Sequence, residues 1–431
     1  MAKKKETLAS PFVPAEEQPY PIPENWCWIH LLDSFENHTD SKKKVQSKTY
    51  LENGELAVVD QGQELIGGYT DDENMTYSGK LPVIVFGDHT RCIKYIDFPF
   101  AQGADGVKVL LPKSFYDVRA FYFALQSIDI PNMGYRRHYP LFPQFCIPVP
   151  PLHEQHRIVS RIESLFAKLD EAKEKAQAVV DGFELRKSAI LHKAFTGELT
   201  ERWRKEHGVW LDSWEVIPLG NLILSGPQNG LYKPKDAYGS GTKILRIDGF
   251  YDGYVEAWET LKRLTLSVTE IKLYELHLDE IVINRVNSMP YLGKSALIRE
   301  LPETCVFESN MMRISLNKER IIPEFMIRYL NSQVGLAELR KNAKQAVNQA
   351  SINQKDVKSV IVKLPFLDEQ EEIVRILDSL LTREQQAKEA AEAVLAQIDT
   401  MQKAILARAF RGELGTNDPA EEWAGELVKE R

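Results

Sequence analysis

Apolar side chains in this chain fall twice into a 4-3-4-3 spacing. In the first stretch they are Ile158, Ile162, Leu165, Leu169, Ala172, Ala176, Val179, Phe183 and Ile190. In the second they are Ile373, Leu377, Leu380, Ala387, Ala391, Val394, Ile398, Met401 and Ile405. Such a period lays the residues along one stripe of a helix and is incompatible with a strand, so each stretch predicts a helix with a coiled-coil seam. Pro151 or Pro365 precedes each helix, acidic residues open it, and Gly197 or Gly412 closes it. A helix of about 43 residues spans roughly 65 Å. Arg186 and Glu384 interrupt the seam. In an antiparallel pair, a positions face d positions and these two residues are one of each. They are therefore expected to lie within one heptad of each other and to help set the register.

The helices belong to a longer duplication. Residues 150–199 align without a gap on residues 365–414 at an offset of 215, with Leu152, Glu154, Gln155, Ile158 and Val159 matched by Leu367, Glu369, Gln370, Ile373 and Val374. The far ends agree as well, Gly197-Glu198-Leu199 with Gly412-Glu413-Leu414.

The segments outside the repeats share little sequence but follow one plan. Each opens on a tryptophan-led run (Trp26, Trp214) and continues in short β-like runs at 83–86, 107–111, 243–247 and 280–284. An apolar helix follows, at 115–127 or 324–343, then a polar loop, and a last strand at 145–149 or 360–364 that feeds the long helix. The division expected is a flexible lead-in over 1–22, modules at 23–150 and 214–364, helical spacers at 151–199 and 365–414, a linker at 200–213 and a tail at 415–431.

Hydrophobic residues make up 43% and charged residues 27%, the balance of a globular chain, and no apolar run is long enough for a membrane span. The four cysteines are scattered without a CxxC pair, as expected of reduced thiols in a cytosolic protein. A net charge of −8 does not favour a polyanionic partner. A basic face can nevertheless sit on an acidic body, and the acids crowd into 368–392 and 421–430.

The module loops carry the residues a DNA reader needs. Arg91, Lys94, Arg136, Arg137 and His138 are the candidates in the first module, and Arg285, Asn287, Arg313, Lys344, Gln345 and Gln349 in the second. Arginine can address guanine, Asn or Gln can address adenine, and Lys holds phosphate. Catalytic patterns fail. Gly293-Lys294-Ser295 lacks the first glycine of a phosphate loop because position 288 is Ser288. His153 and His156 stand three apart and are Asp368 and Glu371 in the second copy, which speaks against zinc.

The layout resembles the specificity subunit of Type I restriction–modification systems. The resemblance is carried by Gly87-Asp88-His89-Thr90-Arg91, Gly134-Tyr135-Arg136-Arg137-His138-Tyr139, Asn284-Arg285-Val286-Asn287-Ser288, Gln349-Ala350-Ser351-Ile352-Asn353, the Pro-Leu-x-Glu-Gln-x-x-Ile-Val junctions and the Phe-x-Gly-Glu-Leu ends. It implies an α+β protein with two mixed α/β target-recognition domains joined by two long antiparallel coiled-coil helices, a pseudo-twofold internal repeat. Each domain would read one half of a bipartite site in double-stranded DNA. Two modification subunits would dock on the helices and restriction subunits would join them. The chain itself would hold no cofactor or metal, with S-adenosylmethionine, ATP and Mg on those partners, and it would be a cytoplasmic, non-catalytic subunit. A non-enzymatic tandem DNA-binding regulator with a coiled-coil spacer is the alternative, and a protein-binding coiled-coil scaffold a third reading.

Overall fold

The computed structural model describes residues 10–104, 106–251, 253–347 and 349–430. It divides into two compact units, Met1–Ala176 with Ala393–Arg431, and Gln177–Glu392.

In the first unit, β1 (Cys27–His30), β2 (Phe35–Asn37), β3 (Leu56–Val59), β4 (Gly68–Thr70), β5 (Val83–Gly87), β6 (Ile93–Ile96), β7 (Phe100–Gln102) and β8 (Val107–Pro112) precede α1 (Val118–Ser127) and β9 (Cys146–Val149). The strands form a four-stranded sheet in the order β2-β8-β5-β6, a three-stranded sheet β4-β3-β7, and the pair β1-β9. Asp117 caps α1 by accepting from the Arg119 and Ala120 amides. The buried face of α1 (Phe121, Ala124, Leu125) shares one core with Ile84, Phe86 and Leu110 of the sheet and with Ile158 and Ile162 of α2 (Leu152–Asp181).

The second unit holds α3 (Phe183–Thr196), α4 (Glu201–His207), β10 (Glu215–Pro218), β11 (Ile223–Asn229), β12 (Tyr238–Leu245), β13 (Phe250–Tyr251), β14 (Tyr254–Val255), β15 (Arg263–Leu264) and α5 (Val268–Tyr274). It continues with β16 (Ile281–Asn284), β17 (Val286–Asn287), β18 (Ser295–Leu297), β19 (Cys305–Phe307), β20 (Met311–Leu316), α6 (Pro323–Leu330), α7 (Gln333–Arg340), β21 (Lys344–Gln345), β22 (Ala350–Ser351), α8 (Gln354–Ser359) and β23 (Ile361–Leu364). Here the sheets run β11-β20-β16-β18-β14-β13, β15-β12-β19 and β17-β22-β21, with the pair β10-β23. The helix α9 (Leu367–Ala409) begins in this unit, where Ile373 and Leu377 join the core, and ends in the first, where Leu406 and Ala409 do so. A short α10 (Gly425–Lys429) closes the described chain.

The two modules, unlike in sequence, fold alike. The antiparallel neighbours β2-β8, β8-β5 and β5-β6 are repeated by β11-β20, β20-β16 and β16-β18. The parallel pair β3-β7 is repeated by β12-β19.

The duplicated Glu-Gln pair is a buried fastening in both units. Gln155 accepts from the Asp117 amide at 2.7 Å and donates to the carbonyls of Phe115 and Pro150 at 2.9 and 2.8 Å. Gln370 accepts from Ile322 at 2.9 Å and donates to Arg320 and Pro365 at 3.0 and 2.9 Å. Each glutamine thus satisfies backbone groups at the entry of a module helix and at the start of a long helix, which would be costly to bury unpaired. Glu154, buried, accepts from Thr416 at 2.6 Å and pairs with Arg157 at 2.8 Å, and burial pushes its carboxyl above the ordinary range. Glu369, also buried, accepts from Thr200 and Arg204 at 2.7 Å and from the Trp214 indole at 2.9 Å.

Three expectations need correction. The first long helix is interrupted at Gly182, between α2 and α3, although amide bonds Gly182 to Ala178 and Arg186 to Gly182 carry the ladder across. The apolar helix expected at 324–343 is two helices, because Asn331 and Ser332 redirect the chain and Ser332 caps the second by accepting from the Gly335 amide. The lead-in, expected to be flexible over 1–22, is docked from residue 10 onward. Val13 is buried and hydrogen-bonds Trp28, Phe12 bridges Ile29, and Tyr20 packs edge-on against Trp28 at 4.9 Å. Residues 1–9 lie outside the described residues. The tail is likewise part of the first unit: Ala424 and Val428 are buried, and the Trp423 indole donates to the Trp26 carbonyl at 3.0 Å.

Candidate nucleic-acid interface

Because the topology repeats, the loops can be matched between modules. The β5–β6 turn corresponds to the segment between β16 and β18, and the segment following α1 corresponds to the hairpin of β21 and β22. In each module the later loop is fastened to the residue just after the middle strand. The Asp88 carbonyl accepts from the His138 amide at 2.8 Å, and the Arg285 carbonyl accepts from the Ile352 amide at 2.9 Å.

In the first module, buried Asp88 also accepts from the Tyr139 amide at 2.7 Å. The His138 ring lies between Asp88 and Met133: Nδ1 faces the Asp88 carbonyl at 2.9 Å and Nε2 accepts from the Met133 amide at 3.1 Å. Those contacts assign the neutral tautomer protonated on Nδ1. Arg91, with a left-handed φ of 62°, donates to the Ile130 carbonyl at 2.9 Å and ties the turn to the same loop. Asn132 accepts from the Gly134 amide at 3.0 Å, and Gly134 takes φ 66°, the conformation that turns the chain outward. Tyr135, Arg136 and Arg137 are left exposed at the tip, with the Tyr135 ring stacked on His89 at 5.4 Å and 28°.

In the second module, β17, β22 and β21 form a small sheet in which Asn287 pairs with Ala350 and Gln345 with Ala350 from the other side. This collects Arg285, Asn287, Lys344, Gln345 and Gln349 in one place. Lys344, Gln345 and Gln349 are exposed, and Ala346 and Gln349 exchange backbone hydrogen bonds at 2.7 and 3.4 Å that hold Val347 at the apex. Arg285 is anchored by donation to the Ser309 carbonyl at 3.1 Å, and Asn287 accepts from the Ser288 amide at 2.8 Å.

Three predicted contact residues are placed elsewhere. His138 is fully buried and serves as the bracket just described. Lys94 shares a face of β6 with Ile96 and is buried with its ammonium 3.5 Å from Asp60, where burial lowers its pKa. Arg313 lies beside Phe307, donating to Gln228 at 2.8 Å, to Glu280 at 3.4 Å and to the Glu275 carbonyl. These side chains build the modules from within. Lys94→Met is accordingly expected to destabilise the first unit by about 1–3 kcal/mol, since Asp60 loses its counter-charge. The salt dependence of DNA binding should stay as in the parent chain, and a slope reduced by about one unit would return Lys94 to the phosphate contacts.

Arg186 and Glu384 meet at 2.6 Å in the second unit, and Arg186 also donates to the Val179 carbonyl at 2.8 Å across the helix interruption. The pair is partly exposed, and the repeat places Met401 and Leu169 at the matching positions. Arg186→Met alone should cost up to about 1 kcal/mol in denaturant unfolding. Adding Glu384→Leu should recover that loss, because two apolar residues of similar size replace the pair without a stranded charge. A double variant less stable than the single one would contradict this.

Among the described residues no group of three or more His, Cys, Asp or Glu is placed to hold a metal, and no helix is long and apolar enough to cross a membrane. Sequence reading overlooked Glu154, Gln155, Glu369 and Gln370 as structural fastenings, and overlooked the His89–Tyr135 stack and Val347 at the tips.

Comparison with known proteins shows what a chain with two like modules, each ending in a braced, polar and basic tip, is similar to. Residues 212–393 match the family model described as Type I restriction modification DNA specificity domain. The chain is 30% identical over 274 residues to the Type I restriction enzyme EcoKI specificity subunit of Escherichia coli K12, covering 62% of this chain and 57% of that one. It is also 30% identical over 269 residues to the StySPI specificity subunit of Salmonella potsdam, with the same shares of 62% and 57%. The aligned part therefore spans less than two thirds of either relative. The crystal structure of the HsdS subunit from Thermoanaerobacter tengcongensis shares the fold at a TM-score of 0.59 and 19% identity, over 92% of this chain and 100% of that one. The chain is thus similar to Type I restriction–modification specificity subunits, over residues 212–393 by the family model and over the 274 and 269 residues aligned with these two relatives.

Proposed function

We propose that this chain reads DNA sequence for a Type I restriction–modification complex and performs no catalysis itself. The observation carrying this reading is the repetition of one module architecture with different residues at the same two loops. The frame (β2-β8-β5-β6 and β11-β20-β16-β18) is held constant while the tips differ, Tyr135-Arg136-Arg137 in one and Lys344, Gln345, Asn287 and Gln349 in the other. Equal frames with unequal tips suit two readers of unlike half-sites in a bipartite DNA sequence.

In this reading the long helices form an antiparallel coiled coil with pseudo-twofold symmetry, and the Arg186–Glu384 pair helps to fix its register. The coiled coil separates the readers and sets the gap between half-sites, as half-site spacing follows from the distance between rigidly held readers. Two modification subunits dock on the helices and bring S-adenosylmethionine, and restriction subunits bring ATP and Mg. The complex acts in the cytoplasm. The chain should be co-expressed with a modification subunit and the host genome mapped for methylated adenine. Methylation confined to one two-part sequence with a fixed gap is the expected result. Sequence-selective binding without methylation would favour a tandem DNA-binding regulator, and no sequence-selective binding at all would overturn DNA reading.

A further inference from the structure

Tyr135 and Val347 are 89% and 99% exposed, more than any other large apolar side chain described. One exposed apolar residue on a surface is ordinary, so exposure alone decides nothing. Their position does. They occupy corresponding loops of the two modules, each rooted on the residue after the middle strand, Asp88 or Arg285. Each is flanked by donors and acceptors suited to DNA: Arg136 and Arg137 beside Tyr135, and Lys344, Gln345 and Gln349 around Val347. Turn tips take Gly, Asn, Asp or Ser for backbone reasons, and a phenol or isopropyl group that buries almost no area there does little for folding.

Both side chains are also aimed. His89 stacks on Tyr135 and holds its carbonyl at 3.0 Å from Nδ1, and the Ala346–Gln349 exchange fixes the hairpin beneath Val347. An apolar group set among polar readers on a narrow projection has one counterpart on the base edges of the major groove, the C5-methyl group of thymine. We propose that Tyr135 and Val347 each contact a thymine methyl, and that each thereby specifies a T·A pair in its own half-site. This rests on the DNA-reading function proposed above.

The test uses the full chain co-expressed with a modification subunit. A preferred site is enriched from randomised duplex DNA, and each thymine of that site is then replaced in turn by deoxyuridine, which deletes only the methyl. For the parent chain, one such replacement in each half should weaken binding about fourfold, the effect of one buried methyl. Val347→Ser should lose sensitivity at one position and keep it at the other, Tyr135→Ser should do the reverse, and Tyr135→Phe should behave as the parent. The half-site preference each variant retains shows that it is folded. A clear bipartite site whose methyl sensitivity is the same in the parent and the serine variants would overturn the apex contacts alone. If the parent enriches no sequence, DNA reading falls and this proposal with it.

Discussion

Glu369→Ala is expected to lower the stability of the second unit by about 3–5 kcal/mol, the cost of leaving one partner of a buried ion pair uncompensated. Glu369 and Arg204 are 0% and 5% exposed, so solvent cannot rehydrate the guanidinium that the substitution strands. The carboxylate also receives Thr200 and the Trp214 indole, so α4 and the strand after it lose a common acceptor at once. Glu154→Ala removes the matching residue of the other copy and should cost less. Its partner Arg157 is 38% exposed and also forms a two-pronged pair with Glu421 at 2.8 and 2.9 Å, which survives the substitution. Urea unfolding, with amide exchange in α4 to assign the transition to the second unit, measures the difference. A Glu369→Ala chain within about 1 kcal/mol of the parent would show that Arg204 finds solvent by another route.

The long helices were legible because their signal is local: a 3.5-residue period and bordering Pro and Gly need no knowledge of the rest of the chain. The duplication could be seen for the same reason, but the function of its most regular residues could not. Gln155 bonds Phe115 and Asp117, and Gln370 bonds Arg320 and Ile322, partners that only the folded modules bring near. The site divides along the same line. Arg136, Arg137, Lys344, Gln345 and Gln349 sit in polar runs and emerge exposed. Lys94 and Arg313 sit in strands, where alternation assigns a face but not which face is covered. Lys94 shares its face with Ile96, and Asp60 from the end of β3 receives it; Arg313 is received by Gln228 on β11 and by Glu280 just before β16. His138 looks in sequence like one more basic loop residue, yet it is the bracket on which the loop folds. Tyr135 and Val347 were not among the contact candidates because an apolar residue in a loop suggests burial, and only coordinates show that these two remain in water.

Arg136→Ala with Arg137→Ala is expected to weaken binding to one half-site while the base preference of the other half is untouched. Both guanidinium groups are exposed at a tip held by Asp88 and His138, and neither forms an ion pair among the described residues. Removing them should therefore cost the fold little. The chain carries a net charge of −8, so attraction to a polyanion has to come from local charge. At physiological salt the Debye length is about 8 Å, and acids farther than that from the loop are largely screened while the tip arginines are not. If both arginines hold phosphates, the slope of log K against log salt should fall by about 2 and every sequence should weaken alike. If one of them reads guanine, the loss should be about 1–3 kcal/mol at one base pair with a smaller change in slope. Titration of matched and singly mismatched duplexes at several salt concentrations separates these contributions, and their sum is the largest effect on DNA binding expected from any pair of exposed residues in the first module. Unchanged affinity together with an unchanged slope would remove this tip from the DNA interface and leave the β5–β6 turn, with His89 and Arg91, as the part of that module facing the groove.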